Sequence, residues 1–204
     1  MTDERILRER AAIDAQIEGL TLCHVLARNA GELPDDPAIS WKDAGGRWAT
    51  LTWRGYRDAV ARVAMGLRSL GVGPGDFVAI MARNRPEHLI VDHAAIHAGA
   101  TPVSIYNTLA PEQIAYIADH CGAKVAVVED RAFLQRWEKV RADLPALEHV
   151  VVLEVADAAS PDGGVTSYRA IEEAGAAELE RDPGAFERSW KAVTPDTPAT
   201  LIYT

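Results

Sequence analysis

Apolar residues in this chain fall into two alternating patterns. One is the short continuous run: Phe77-Val78-Ala79-Ile80-Met81, Lys124-Val125-Ala126-Val127-Val128, His149-Val150-Val151-Val152-Leu153 and Ala199-Thr200-Leu201-Ile202-Tyr203, with Thr101-Pro102-Val103-Ser104-Ile105 as a shorter extended piece. The other is the amphipathic stretch with apolar positions three and four apart. Such stretches run over 86–98, over 111–121 (Ile114, Ile117, Ala118 and Cys121 on one face, Gly122 after it) and over 131–141. A continuous apolar run without alternation predicts a strand buried on both faces, the mark of a parallel sheet covered by helices. Strands separated by helices join through right-handed crossovers. The expected fold class is therefore α/β, a doubly wound, mostly parallel sheet with helices on both faces.

The flanking segments carry other signals. Thr52 precedes a long amphipathic helix marked by Tyr56, Val60, Val63, Ala64, Leu67 and Leu70, closed by Gly71, which takes a left-handed conformation without a Cβ penalty. Before it, 38–41 and 47–51 flank Asp43-Ala44-Gly45-Gly46, a hairpin pattern. Residues 21–30 predict a short helix with Leu22, Val25 and Leu26 on one side, ended by Gly31 and Pro34. Residues 1–20 read as a charged helical or partly disordered arm, distinct from the domain at 21–204. Residues 154–166 predict an exposed loop, and 167–193 an acidic, solvated helix broken at Gly175 and at Pro183-Gly184. No repeat of fixed period is present.

Composition narrows the function classes. A chain of 204 residues with 48% hydrophobic and 25% charged residues is an ordinary globular domain, too apolar for a disordered one. A net charge of −9 and a pI near 5.1 repel phosphate backbones, which argues against nucleic-acid binding. No apolar stretch is long enough to span a membrane, and the first residues do not form a secretory signal. Two distant cysteines, Cys23 and Cys121, give no disulfide framework, so a reducing cytoplasm is the expected compartment.

Isolated motifs give little chemistry. Gly71-Val72-Gly73-Pro74-Gly75 is glycine-rich, but it follows a helix and precedes a strand, the reverse of a phosphate-binding turn; with Asp76 it reads as a tight turn. His93 and His97 share a helix face near His88 and Asp92, yet a helical zinc site lacks its glutamate and third ligand here; core or exposed histidines are expected. Asp130, between a strand and a helix, reads as an N-cap rather than a ribose ligand, since no glycine fingerprint precedes it.

Three stretches together resemble the AMP-forming acyl-CoA synthetases of the adenylate-forming superfamily. The first is Leu51-Thr52-Trp53-Arg54-Gly55-Tyr56, followed by Gly71-Val72-Gly73-Pro74-Gly75-Asp76-Phe77-Val78-Ala79, similar to the family's Gly-Val-x-x-Gly-Asp-x-Val-Ala entry into a core strand. The second is Asn84-Arg85-Pro86-Glu87 with Ala98-Gly99-Ala100-Thr101-Pro102-Val103. The third is Thr200-Leu201-Ile202-Tyr203-Thr204, similar to the approach to the family's phosphate loop, Tyr-Thr-Ser-Gly-Thr-Thr-Gly-x-Pro-Lys-Gly. Asn84-Arg85-Pro86-Glu87 and Ile105-Tyr106-Asn107-Thr108-Leu109-Ala110-Pro111-Glu112-Gln113 look most like long-chain fatty acyl-CoA synthetases.

The resemblance implies an incomplete AMP-binding domain over 21–204, from a ligase that uses ATP, Mg²⁺ and coenzyme A to activate a fatty acid. Thr204 is the one residue that maps onto the phosphate loop, as its first position; no catalytic residue and no metal ligand is expected in this chain. A buried-strand run reaching the last residue without a turn or polar exit is expected of the front portion of a longer ligase, inactive by itself. A non-catalytic α/β module, another carboxylic acid and a carrier-protein thiol as acceptor stay open as alternatives, as does peripheral membrane contact through the fatty-acid substrate.

Overall fold

The computed structural model describes residues 4–155 and 164–203; Thr204 and the centre of the loop expected at 154–166 lie outside them. The N-terminal arm is helix α1 (Glu4–Ile17), followed by α2 (Leu22–Glu32). Strands β1 (Pro37–Lys42) and β2 (Trp48–Thr52) form the expected antiparallel hairpin. Asp43 closes its turn, Oδ1 accepting from the Gly45 and Arg47 amides at 2.8 and 2.9 Å. In α2 the buried face is Cys23 and Leu26, not the expected Leu22 and Val25, which stay exposed; the helix also runs through Gly31.

Helix α3 (Trp53–Ser69) starts where the sequence places it, the Thr52 hydroxyl accepting from the Gly55 amide at 3.2 Å. It ends in paired bonds, Gly71 N–H to Arg68 O and Val72 N–H to Leu67 O, with Gly71 at φ 81°. Those bonds satisfy carbonyls that a helix end otherwise leaves open.

There follow β3 (Phe77–Met81), α4 (Pro86–His97), β4 (Thr101–Ser104), α5 (Pro111–Cys121), β5 (Ala123–Val128), α6 (Arg131–Glu138), a 3₁₀ turn at Arg141–Asp143, β6 (His149–Val152), β7 (Val165–Ser167), α7 (Tyr168–Arg181) and α8 (Ala185–Lys191). The five strands are all parallel, in the order β4-β3-β5-β6-β7. Alternate residues of each strand feed two cores. Val78, Ile80, Val125, Val127 and Val151 pack under α2, α3, α4, α7 and α8. Ala79, Met81, Ala126, Val128, Val150 and Val152 pack under α5 and α6. The doubly wound fold class expected from the runs is present.

Three expectations need correction. Strand β7 falls inside the stretch read as loop and helix; three residues are too short to carry a pattern, and Ser167 doubles as the cap of α7, accepting from the Ala170 amide at 3.1 Å. Gly175 does not break α7. Instead it lets α7 and α3 touch: a Cβ there would meet the Arg62 carbonyl oxygen at 1.8 Å, and one on Gly66 would meet that of Ile171 at 2.1 Å. Finally, 199–203 is not a strand. It lies beside the edge strand β4 with one backbone bond, Leu201 N–H to Pro102 O at 3.3 Å. Pro102 has no N–H to return a bond on that side, so the ladder does not propagate.

Candidate functional site

In this strand order the chain leaves β3 toward β4 on one face and continues from β5 toward β6 on the other. The crossovers diverge between β3 and β5, and open α/β sheets bind ligands outside the carboxyl ends of the strands at such a point. Here those ends deliver Ala82, Arg83, Asn84 and Arg85 from β3, Ile105, Tyr106 and Asn107 from β4, Glu129 and Asp130 from β5, and Glu154 from β6.

Glu129 is the centre of this edge and is 4% exposed. Its Oε2 accepts the Arg83 amide at 2.6 Å, and its Oε1 pairs with the Arg83 guanidinium. Arg85 Nη1 lies 3.7 Å from Glu129 and 2.8 Å from Glu154, and its Nε donates to Glu87 at 2.7 Å. The guanidinium groups of Arg83 and Arg136 stack on Phe133 at 5.3 and 5.0 Å. Arg136 also holds the Asn107 carbonyl at 2.7 Å, tying the β4 loop to α6.

Carboxylate oxygens of Glu129, Asp130 and Glu154 gather within 4.8 Å of one another. They do not fit a Mg²⁺ site. Glu129 is committed to Arg83, Glu154 to Arg85, and Asp130 accepts the Ala132 and Phe133 amides at 2.8 and 3.0 Å as the cap of α6. The Arg83 and Arg85 guanidinium groups stand within 4 Å of these oxygens and already balance the charge that would draw a cation. The cap role expected for Asp130 is the one it has.

Beside this network is a cleft of about 430 Å³, lined by Asn84, His88, Ser104 and Tyr106 on one side and by Thr200–Tyr203 on the other. His88 Nε2 and Ser104 Oγ are 3.0 Å apart across its floor. The 199–203 segment is anchored at both ends: Thr101 Oγ1 donates to the Pro198 carbonyl at 3.1 Å, and the Tyr203 hydroxyl meets His120 Nδ1 at 2.8 Å. The residues that lead to Thr204 thus run along the edge of β4, and Thr200–Tyr203 line the cleft beside the carboxyl ends of β3 and β4.

The glycine turn at 71–76 sits at the opposite end of the sheet, before β3. The Gly73 amide is bound by Asp76 Oδ2 at 2.8 Å, the Gly75 amide by the Gly99 carbonyl, and Lys124 Nζ by the Gly71 carbonyl and Asp76. Its donors serve the turn and leave no phosphate cradle. A larger cavity of about 820 Å³ also opens at that end, between α3, α7 and α8. Its Arg181 and Arg188 are paired with Glu178 and Asp182, and it lies away from the switch point.

The histidines of α4 are core and support, as expected. His97 is 1% exposed, donates Nδ1–H to the His93 carbonyl at 2.7 Å and stacks on Phe186 at 5.3 Å. His93 Nδ1 meets the Tyr56 hydroxyl at 2.9 Å. Burial pushes the His97 pKa down to about 4; the hydrogen bond to the His93 carbonyl opposes the shift, the charges of His93 and Arg57 add to it, and Glu187 opposes it. The unfolded chain therefore binds more protons than the folded one between the ordinary histidine pKa and about 4. Stability present above that window is lost as pH falls through it. Urea unfolding at pH 7 and 4.5 is expected to show about 2–3 kcal/mol more loss than in His97→Asn; equal losses in the two proteins would contradict this.

Sequence reasoning did not single out Arg83, Glu129, Glu154 or the His88–Ser104 pair. Their signal is positional: each except His88 stands within two residues of the carboxyl end of a predicted strand or forms its last residue.

The chain matches the family described as AMP-binding enzyme over residues 26–204 and belongs to that family. It is 42% identical over 134 residues to the uncharacterized protein Rv1549 of Mycobacterium tuberculosis, covering 66% of this chain and 73% of that protein. It is 32% identical over 172 residues to the long-chain-fatty-acid–CoA ligase FadD15 of Mycobacterium bovis, covering 83% of this chain and 27% of the ligase. Among solved structures it resembles the anthranilate–CoA ligase AuaEII in complex with anthranoyl-AMP, with 30% identity and a TM-score of 0.57, over 63% of this chain and 24% of that one. The chain therefore spans about a quarter of the length of these ligases.

Proposed function

We propose that residues 21–204 are the front part of the adenylation domain of an ATP-dependent, AMP-forming fatty acid–CoA ligase, with 1–20 as a helical arm. The observation that supports this most is the course of Thr200–Tyr203 beside the cleft at the carboxyl ends of β3 and β4, in a chain whose family match runs through residue 204. Thr204 then opens the phosphate loop. The fatty-acid substrate draws on the match to FadD15, and coenzyme A as acceptor on both ligases.

In the whole enzyme a carboxylate oxygen bonds to the α-phosphorus of ATP and pyrophosphate leaves. The coenzyme A sulfur then bonds to the acyl carbon, AMP leaves, and the thiol proton passes to solvent or a base. Mg²⁺ supplies charge neutralisation on the phosphates. The 204 residues contribute the sheet edge that fixes the approach to the loop. They do not contribute the loop's further glycines and lysine, so the chain by itself does not adenylate. The setting is the cytoplasm; among the described residues no helix is long and apolar enough to cross a membrane.

A second reading, a non-catalytic α/β module, draws on the Rv1549 match, which takes in 73% of that protein's length. Purified chain mixed with ATP, Mg²⁺ and a long-chain fatty acid is expected to release no pyrophosphate above the protein-free rate, while the longest product of the same gene does. Pyrophosphate release by the 204-residue chain would overturn the assignment of the loop as indispensable. Its absence from the longer product would favour the non-catalytic module.

A further inference from the structure

Asn84, His88 and Ser104 line the cleft at the carboxyl ends of β3 and β4, and the ligase chemistry proposed above gives none of them a part. Ser104 is the last residue of β4 and is exposed. Its Oγ lies 3.0 Å from His88 Nε2. His88 stands in the first turn of α4, and Asp92 follows one turn later on the same side of the helix. Asp92 is half-buried and makes no ion pair with lysine or arginine among the described residues. Burial raises its pKa, and the charge of His88 draws it back down, which places the two groups within electrostatic reach.

A hydroxyl, an imidazole within hydrogen-bond distance and an acid beside that imidazole are the parts of an activated serine. With the imidazole proton on Nδ1, the tautomer that a neighbouring acid favours, Ser104 Oγ–H donates to Nε2. Asn84 supplies a fourth part. Its side-chain amide has no hydrogen-bond partner among the described residues, and it lines the same cleft, where it can donate to an oxygen that gains negative charge. Ile105, Leu201 and Ile202 give the cleft apolar lining. Its volume of about 430 Å³ is near the small end for ligand pockets, which suits a short acyl chain.

We propose that this cleft hydrolyses carboxylic esters and thioesters of short acyl chains, with Ser104 as nucleophile, His88 as general base and acid, Asn84 as oxyanion donor and Asp92 as a positioning residue. Ser104 Oγ bonds to the acyl carbon while its proton passes to His88 Nε2. The bond from that carbon to the leaving oxygen or sulfur breaks, and His88 gives the proton to the departing alcohol or thiol. Water then bonds to the acyl carbon and gives a proton to His88. The bond to Oγ breaks, the proton returns to Ser104 and the carboxylic acid leaves. None of these steps uses ATP or the phosphate loop, so the proposal stands apart from the ligase reading.

The test is turnover of p-nitrophenyl acetate, butyrate and palmitate by the purified chain, together with labelling by a fluorophosphonate probe mapped by mass spectrometry. Hydrolysis above the protein-free rate is expected, faster for butyrate than for palmitate, with the probe on Ser104. Ser104→Ala is expected to lose both turnover and label while keeping the wild-type unfolding midpoint, since its side chain is not buried. His88→Ala is expected to lower kcat at least about 100-fold, and Asn84→Ala about 100-fold. Asp92→Asn is expected to lower kcat at least about tenfold with KM unchanged, the split that separates positioning of the base from a loss of binding or fold. The proposal is overturned by a chain that hydrolyses none of the three esters, by turnover that survives Ser104→Ala, by a probe on another residue, or by an unchanged kcat in His88→Ala or Asp92→Asn.

Discussion

Gly175→Ala is expected to destabilise the chain by about 3–4 kcal/mol, near the upper end for a single methyl group. The added carbon would lie 1.8 Å from the Arg62 carbonyl oxygen and 2.8 Å from the Gly66 nitrogen. Both are backbone atoms of α3, so no rotamer change relieves the clash. The helices must separate, and Tyr168, Ile171 and the buried α3 face lose their contacts. Gly66→Ala should behave alike through the Ile171 carbonyl at 2.1 Å, and the double variant should cost less than the two losses added, because the first separation makes room for the second methyl. Gly31→Ala is the control: it lies inside α2 with nothing within 4 Å, so it should be neutral or stabilising by up to about 1 kcal/mol. Urea unfolding of the four variants checks the set. A loss at Gly175 no larger than at Gly31 would refute the close crossing.

The second large effect is expected at Glu129. Glu129→Ala removes the acceptor of the Arg83 amide and the nearest partner of the Arg83 guanidinium, and it takes away the carboxylate 3.7 Å from Arg85. The Arg83 side chain is 60% exposed and can find water, so the charge itself is partly rescued. The lost amide bond and the cavity under the strand ends are not. A loss of about 2–4 kcal/mol is expected, with Glu129→Gln costing less than half of it because one acceptor oxygen remains. A change below about 0.5 kcal/mol, the ordinary range for surface positions, would mean that the network at the switch point does not brace the strand ends.

The parallel strands were legible because burial on both faces forces continuous apolar runs, and β3, β5 and β6 carry them without interruption. Capping residues were legible as well: Thr52 and Asp130 accept the amides that their positions predict. What escaped has a common cause. Gly175 reads as a helix breaker when the sequence is taken alone, because the reason for a missing side chain lies in a helix more than one hundred residues away. Val165–Ser167 joins the sheet by pairing with β6, and three residues give periodicity nothing to act on. Ala199–Tyr203 has the composition of a core strand but meets a proline at the sheet edge. The site is legible only in part for the same reason. Arg83, Glu129 and Glu154 come from three separate connections, and only the strand order brings them together.

In the function proposed above, Thr200–Tyr203 carries the chain from the cleft into a phosphate-binding loop. The most direct test is to read the coding DNA beyond the codon for Thr204. Codons for Ser-Gly-Thr-Thr-Gly, followed a few positions later by a lysine, are the expected result and would make this chain the front of an adenylate-forming ligase. A stop codon directly after Thr204 in the native gene would contradict the claim and leave a family member without its phosphate loop.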